Sequence, residues 1–193
     1  MPRPRNRLGC GSGGGTAKVG EKYVRRFLIE HDVAQRFFDF CDSRGYCFEM
    51  IQPEDRYVNR PLNDCGIEFY TRFIDCGSKV SHKLEGELTQ FHLFARNDVD
   101  EEVINAFPEL EFDRYCWFAV DIVPVHYRKG DAIVDVLNYF GYKKDEAIGF
   151  GDDLQDLSIA ENVGFFVSMG NGKPEVKDAA AFVTKAVYDN GIS

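Results

Sequence analysis

The sequence predicts an α/β protein, a parallel sheet with helices on its faces together with a second, mixed α/β part. In the last third, apolar runs of strand length alternate with amphipathic helical stretches across short loops, the pattern of parallel strands joined by helices. Ahead of it the rhythm differs: one amphipathic helix is followed by short strand-like runs broken by turn residues. The chain has 193 residues, 44 % of them hydrophobic, enough for one domain plus a small inserted one and too apolar for a disordered chain.

Residues 1–22 read as an irregular, basic arm, because MPRPRNRLGCGSGGG is rich in glycine and proline and nearly devoid of apolar residues. A strand begins near Tyr23, in YVRRFLI. Asp32 can cap a helix whose apolar positions Val33, Phe37, Phe38 and Cys41 lie three and four apart, and Gly45 stops it. YCFEMI and YVN form two short strands joined by the turn QPEDR, and Phe91–Ala95 forms another. Asp98 or Asp100 can cap a short helix that ends by Pro108, and Cys116–Val123 (CWFAVDIV) reads as one strand.

From there the chain alternates. Lys129–Phe140 is a helix closed by Gly141, Ala147–Phe150 a short buried strand, Leu154–Asn162 a helix and Phe165–Met169 a strand. Pro174–Ala180 is a short helix opened by proline, and Phe182–Val183 begins a last strand. The expected organisation is an arm over 1–22, a mixed α/β domain over 23–112 and the parallel-sheet domain over 113–193.

Charge and composition exclude several classes. The net charge is −9, although residues 1–26 carry seven Lys and Arg against Glu21 alone. The rest is therefore strongly acidic and repels a phosphate backbone, so nucleic acid is not an expected partner. No apolar run approaches the roughly 20 residues that span a bilayer, and no apolar segment follows the N-terminal arginines. Membrane insertion and export are thus not expected, and a cytoplasmic protein is. The six cysteines show no C-x-x-C pair and mostly sit among apolar neighbours, which reads as buried, reduced thiols. Gly9-Cys10-Gly11-Ser12-Gly13-Gly14 satisfies G-x-G-x-x-G, but no apolar strand precedes it and no amphipathic helix opens at it, so it is not a dinucleotide fingerprint.

The strongest chemical signal is AIGFGDDLQD, residues 147–156. An apolar strand ends in glycine, and Asp152, Asp153 and Asp156 follow at the end of the strand where ligands bind in open parallel sheets. Hard oxygen donors converging there suit Mg²⁺, which keeps several waters and is completed by a substrate phosphate. The bland alternative is that Asp153 caps a helix and the other acids are solvated. Lys129 opens a helix, against the preference of helix N-termini for acids, which makes sense if it meets an anion, the alternative being an ordinary surface lysine. Met169-Gly170-Asn171-Gly172 forms a turn at another strand's end, either an ordinary Gly/Asn turn or one whose amide, at Asn171, reaches the same anion.

Residues 124–185 resemble the C-terminal half of the core domain of the haloacid dehalogenase (HAD) superfamily, Cof-type phosphatase branch. The shared features, in order, are a Lys-Gly opening a helix, Gly-Asp-x-x-x-Asp after a strand, Met-Gly-Asn, a charged helix and a valine-threonine strand. Residues 23–120, with YVNR at Tyr57–Arg60, are more loosely similar to that branch's α/β cap. The resemblance implies a partial Rossmannoid parallel sheet with an inserted cap. It also implies Mg²⁺-dependent hydrolysis of a small phosphorylated metabolite. Asp152 would then hold Mg²⁺ with support from Asp153 or Asp156, Lys129 would balance nucleophile and phosphate charge, and Asn171 would contact the substrate phosphate. Gln155 stands where the family usually has Asn.

The family's opening Asp-x-Asp-Gly, whose first Asp attacks phosphorus, has no counterpart in residues 1–22. The only D-x-D, Asp98-Val99-Asp100, reads as helix capping. By the resemblance the chain looks shortened at the N-terminus and slightly at the C-terminus, with its activity impaired. The rival readings are a catalytically silent chain that binds a ligand or protein, or the remnant of a shortened gene. A parallel sheet lacking a neighbouring strand also implies self-association through an exposed edge.

Overall fold

The computed structural model describes residues 8–11, 15–61 and 79–192. The chain forms β1 (Leu8–Gly11), β2 (Thr16–Val19), β3 (Lys22–Arg26), α1 (His31–Ser43), β4 (Cys47–Ile51), β5 (Arg56–Val58), β6 (Lys79–Val80) and β7 (Gln90–Phe94). Then follow α2 (Asp100–Ala106), β8 (Leu110–Cys116), β9 (Ala119–Pro124), α3 (Lys129–Phe140), β10 (Ile148–Gly151), α4 (Leu157–Ala160), β11 (Phe165–Ser168), α5 (Pro174–Asp178) and β12 (Phe182–Val183). They divide into two compact units, residues 26–127 and residues 1–25 with 128–193. The first is thus an insertion in the second, and the architecture is α/β with a parallel sheet, as expected.

In the inserted unit, the sheet runs in the order β6-β5-β4-β7-β9-β8, antiparallel except for β5 with β6. The apolar stripe of α1, Val33, Ala34, Phe37, Phe38 and Cys41, is buried as its spacing predicts. It packs with Phe48, Met50, Phe91, Leu93, Val120 and Ile122 from the sheet. Phe37 is the hub, with ring centroids of Phe91 at 4.4 Å, Phe107 at 5.2 Å and Phe48 at 6.1 Å.

The opposite sheet face carries a charged row. Register pairs Glu49 with His92 and His92 with Asp121 across three strands. The His92 ring meets Glu49 at 2.9 Å and Asp121 at 3.1 Å. Burial works against a charged imidazole, but these two carboxylates overcome it and raise the His92 pKa to about 9.

Several expectations change here. The domain boundary falls after residue 127, not 112, because β8 and β9 complete the sheet of the inserted unit. CWFAVDIV is not one strand: Trp117 and Phe118 turn the chain between β8 and β9, which pair antiparallel. Neither Asp98 nor Asp100 caps through its side chain. Asp100 instead takes a bidentate contact from Arg114, with Nε at 2.7 Å, and a two-point charge-assisted pair outweighs a single cap bond. Asp32 does not cap α1 either, since the helix begins one residue earlier at His31. Cys47 is disulfide-bonded, whereas Cys41 and Cys116 are free, so the expectation of reduced thiols fails at Cys47.

In the other unit the arm is not irregular where it is described. β1 pairs antiparallel with β2, and β3 completes a three-stranded sheet. Thr16, Ala17 and Val19 are buried, and Arg25 reaches Asp135 at 2.7 Å and Asp131 at 3.3 Å on α3. The alternating apolar positions of TAKV decide the strand, against the glycine-rich composition around it. The remainder of the arm, residues 1–7 and 12–14 with part of the G-x-G-x-x-G, lies outside the described residues.

α3 spans the expected residues and ends at Gly141 with φ +70°. The order of the parallel sheet is β10-β11-β12. β10 is half-buried rather than buried. Gly149 and Gly151 face the helical side so closely that a Cβ would lie 2.6 Å from Ile159 and 2.4 Å from Asp156. Ile148 and Phe150 point the other way and are exposed.

Candidate functional site

The site is built where β10 and β11 end. β10 delivers the chain at Gly151 into the Asp152-Asp153 corner, and a single 3₁₀ turn over Leu154–Asp156 leads into α4. β11 delivers the turn at 169–173 beside it. Lys173 N donates to Asp152 O at 2.9 Å, which ties the two loops together.

Asp156 organises the corner. It is 6 % exposed, and one carboxylate oxygen accepts the amides of Asp152 at 2.9 Å and Asp153 at 3.1 Å. The other accepts Lys129 Nζ at 3.0 Å. The four-residue spacing from Asp152 thus brings Asp156 back onto the corner, and Lys129 joins the same cluster from the start of α3.

Asp152 is exposed at the corner, and one of its oxygens accepts Asn171 Nδ2 at 2.8 Å. Asn171 Oδ1 in turn accepts the Val187 amide at 2.9 Å, which fixes its orientation. Asp153 accepts from the Leu154 amide at 2.5 Å, so it does cap the 3₁₀ turn, and from Lys173 Nζ at 2.7 Å. Partial burial raises the pKa of Asp153, but the Lys173 and Leu154 hydrogen bonds prevail and hold it below the ordinary carboxylate range.

All five residues singled out from the sequence, Lys129, Asp152, Asp153, Asp156 and Asn171, are therefore linked by direct contacts or shared partners. The structure gives Asp156 a task other than metal binding, because both its oxygens are already taken inside the protein. Among the described residues no group of three His, Cys, Asp or Glu side chains is arranged to hold a metal ion. The exposed Asp152, with the half-buried Asp153 beside it, remains as a pair of carboxylate oxygen donors. That set fits Mg²⁺, which is commonly held by one or two carboxylates and completed by waters and substrate phosphate.

Sequence reading missed Lys173. It sits directly before Pro174 at the start of α5, again a cation at a helix N-terminus, so the signal that singled out Lys129 also marks it. It missed Ser158 as well, which no motif announces.

A parallel sheet whose carboxyl edge gathers aspartates, lysines and a Gly/Asn turn defines a Rossmann-like α/β protein with a polar site at that edge. The model of the haloacid dehalogenase-like hydrolase family matches residues 9–193, and the chain belongs to that family. It is 37 % identical over 107 residues to the Bacillus subtilis protein YkrA, covering 55 % of this chain and 41 % of the relative. It is 31 % identical over 212 residues to the Bacillus subtilis 5-amino-6-(5-phospho-D-ribitylamino)uracil phosphatase YwtE, covering 94 % of this chain and 74 % of that one. The crystal structure of TM0651 from Thermotoga maritima superposes with a TM-score of 0.82 at 21 % identity, over 93 % of this chain and 71 % of the other. The chain spans about half the length of the first curated relatives it matches.

Proposed function

We propose that this chain supplies the cation- and phosphate-holding half of a Mg²⁺-dependent phosphohydrolase for a small phosphorylated metabolite, with residues 26–127 as the substrate-selecting cap. The observation that carries the reading is the convergence of Lys129 and Asp152 on Asp156 at the carboxyl end of β10. Asp152 would hold the cation, with Asp153 in support. Bound there, Mg²⁺ would polarise a phosphoryl oxygen and neutralise its charge. Lys129, steered by Asp156, balances the remaining negative charge. Asn171 presents its side chain from the neighbouring turn toward the same anion. Lys173 lowers the proton affinity of Asp153 and keeps it ionised.

The 193 residues contain no Asp-x-Asp-Gly, so on this reading the chain alone lacks the carboxylate that accepts the phosphoryl group. The expected outcome is Mg²⁺ binding without turnover. That absence favours the second reading, a catalytically silent chain that binds a phosphorylated ligand or a partner.

The test is calorimetric titration with Mg²⁺ beside an aryl phosphate assay, on the parent chain and on Asp152→Ala. Mg²⁺ binding lost in Asp152→Ala supports the site, and binding unchanged by the substitution sinks it. A rate well above background that Asp152→Ala abolishes would reveal a nucleophile within these residues.

Two further elements belong to the proposal. Self-association of a second copy through the sheet rests on Ile148, Phe150, Phe165 and Phe182, apolar and exposed side by side on β10, β11 and β12. A cytoplasmic setting would keep thiols reduced. The Cys47 disulfide stands against that setting, and the setting is upheld only if alkylation under denaturing conditions in freshly lysed cells traps Cys47 as a free thiol. Among the described residues no helix is long and apolar enough to cross a membrane.

A further inference from the structure

We propose that Ser158 is a positioning residue for Lys129, acting as the missing N-terminal cap of α3 from another segment of the chain. The proposal rests on the reading of Lys129 as a phosphate-balancing cation. α3 lacks a cap of its own, since Arg128 makes no side-chain cap bond. The orphan first-turn amide of Gly130 instead donates to Ser158 Oγ at 3.0 Å, in a buried contact between residues 28 apart. The Ser158 hydroxyl spends its own proton on Gln155 O at 2.8 Å, which leaves a lone pair for Gly130. Asn162 Nδ2 holds the Ser158 carbonyl at 2.8 Å.

The approach is close. A Cβ on Gly130 would lie 1.9 Å from Ser158 O, so only glycine lets the start of α3 reach this point. Asp156, two residues before Ser158, takes the ammonium of Lys129. One short segment therefore fixes Lys129 at both ends, the backbone through Gly130 and Ser158, the charged head through Asp156. A lysine has a flexible four-carbon stem, and holding only its head would leave the main chain free to carry it away from the corner.

The experiment is titration of the full chain with inorganic phosphate at saturating Mg²⁺, with amide hydrogen exchange read on the same samples. Ser158→Ala is expected to weaken phosphate binding about five- to tenfold, the size of a lost cap. Ser158→Thr, which keeps the hydroxyl, should restore most of it. Val163→Ala thins the core of the same unit without touching Lys129, and should lower Tm at least as much while leaving the phosphate Kd unchanged. In the parent chain the Gly130 amide should exchange more slowly than that of Lys129. Fast Gly130 exchange overturns the cap whether or not the variants fold. Lys129→Ala separates the two ideas. If it leaves phosphate binding intact, the reading of Lys129 itself falls. If it weakens binding while Ser158→Ala does not, the positioning role of Ser158 is overturned and the site stands.

Discussion

Residues 26–127 gather sixteen buried apolar residues into one cluster, whereas around β10, β11 and β12 the cluster holds only three, so the two units are held together differently. Among the described residues, twelve of the fifteen exposed large hydrophobics fall in the parallel-sheet unit, so that imbalance is not a matter of composition. An antiparallel sheet needs one covered face, and α1 with its aromatic stripe covers it. A parallel sheet is usually covered on both. Here α4 and the glycines of β10 close one face, while Ile148 at 65 %, Phe165 at 45 % and Phe182 at 57 % stay open on the other. The polar site sits on the less self-sufficient unit, held by hydrogen bonds and ion pairs rather than by a deep core.

The largest expected effect breaks the better-packed side. Phe37→Ala removes the hub of three aromatic contacts and should cost about 3–5 kcal/mol in denaturant unfolding. A cost below about 1 kcal/mol would mean that the cluster is not what holds the unit.

Next comes pH. The folded pKa of His92 lies near 9, above its ordinary 6.5, so protonation favours the folded state. Glu49 and Asp121 flank the ring, Arg56 faces Glu49 at 3.6 Å, and Asp113 pairs with Asp121 from β8. The stabilisation is complete below about pH 6.5 and fades as pH rises through about 9, with a total of about 3 kcal/mol. His92→Gln should flatten unfolding free energy between those limits, and an unchanged slope would contradict the charged row.

Gly149→Ala acts on the other unit. Its Cβ meets Ile159 at 2.6 Å, and overpacking of that kind costs roughly 1–3 kcal/mol. Hydrogen exchange should quicken in β10 and β11 while β4 and β7 keep their protection. Faster exchange in both sheets would show that the two units do not open independently.

The smallest effect on stability belongs to the open face. Phe150→Ser with Phe182→Ser should change unfolding free energy by no more than about 0.5 kcal/mol, as exposed positions do. The same pair should shift sedimentation toward the monomer, and a parent chain already monomeric at tens of micromolar, on the order where weak apolar contacts register, would end the self-association proposal.

Local pattern alone located α1 and α3, because their apolar spacing is helical and glycine in a left-handed conformation ends each, Gly45 at φ +74° and Gly141 at φ +70°. It also located the acidic corner after β10, because aspartates directly after a short apolar strand stay together wherever the strand goes. Which sheet each strand joins was another matter. Nothing local in LEFDRYC or AVDIVP says that they pair with each other and with β7 rather than lead into the parallel sheet. Pairing is settled by partners dozens of residues away. The same holds for the arm, where TAKV becomes a strand because a neighbouring strand and α3 are there to pack it. The division of labour among the acids also needed the fold. Sequence left Asp153 and Asp156 as alternative supports for Asp152, but only three dimensions bring Lys129 and two amides onto Asp156, leaving Asp152 outermost. Residue type and short spacing fix what a segment can offer. Hydrogen-bond partners far along the chain decide which of those groups remain available for chemistry.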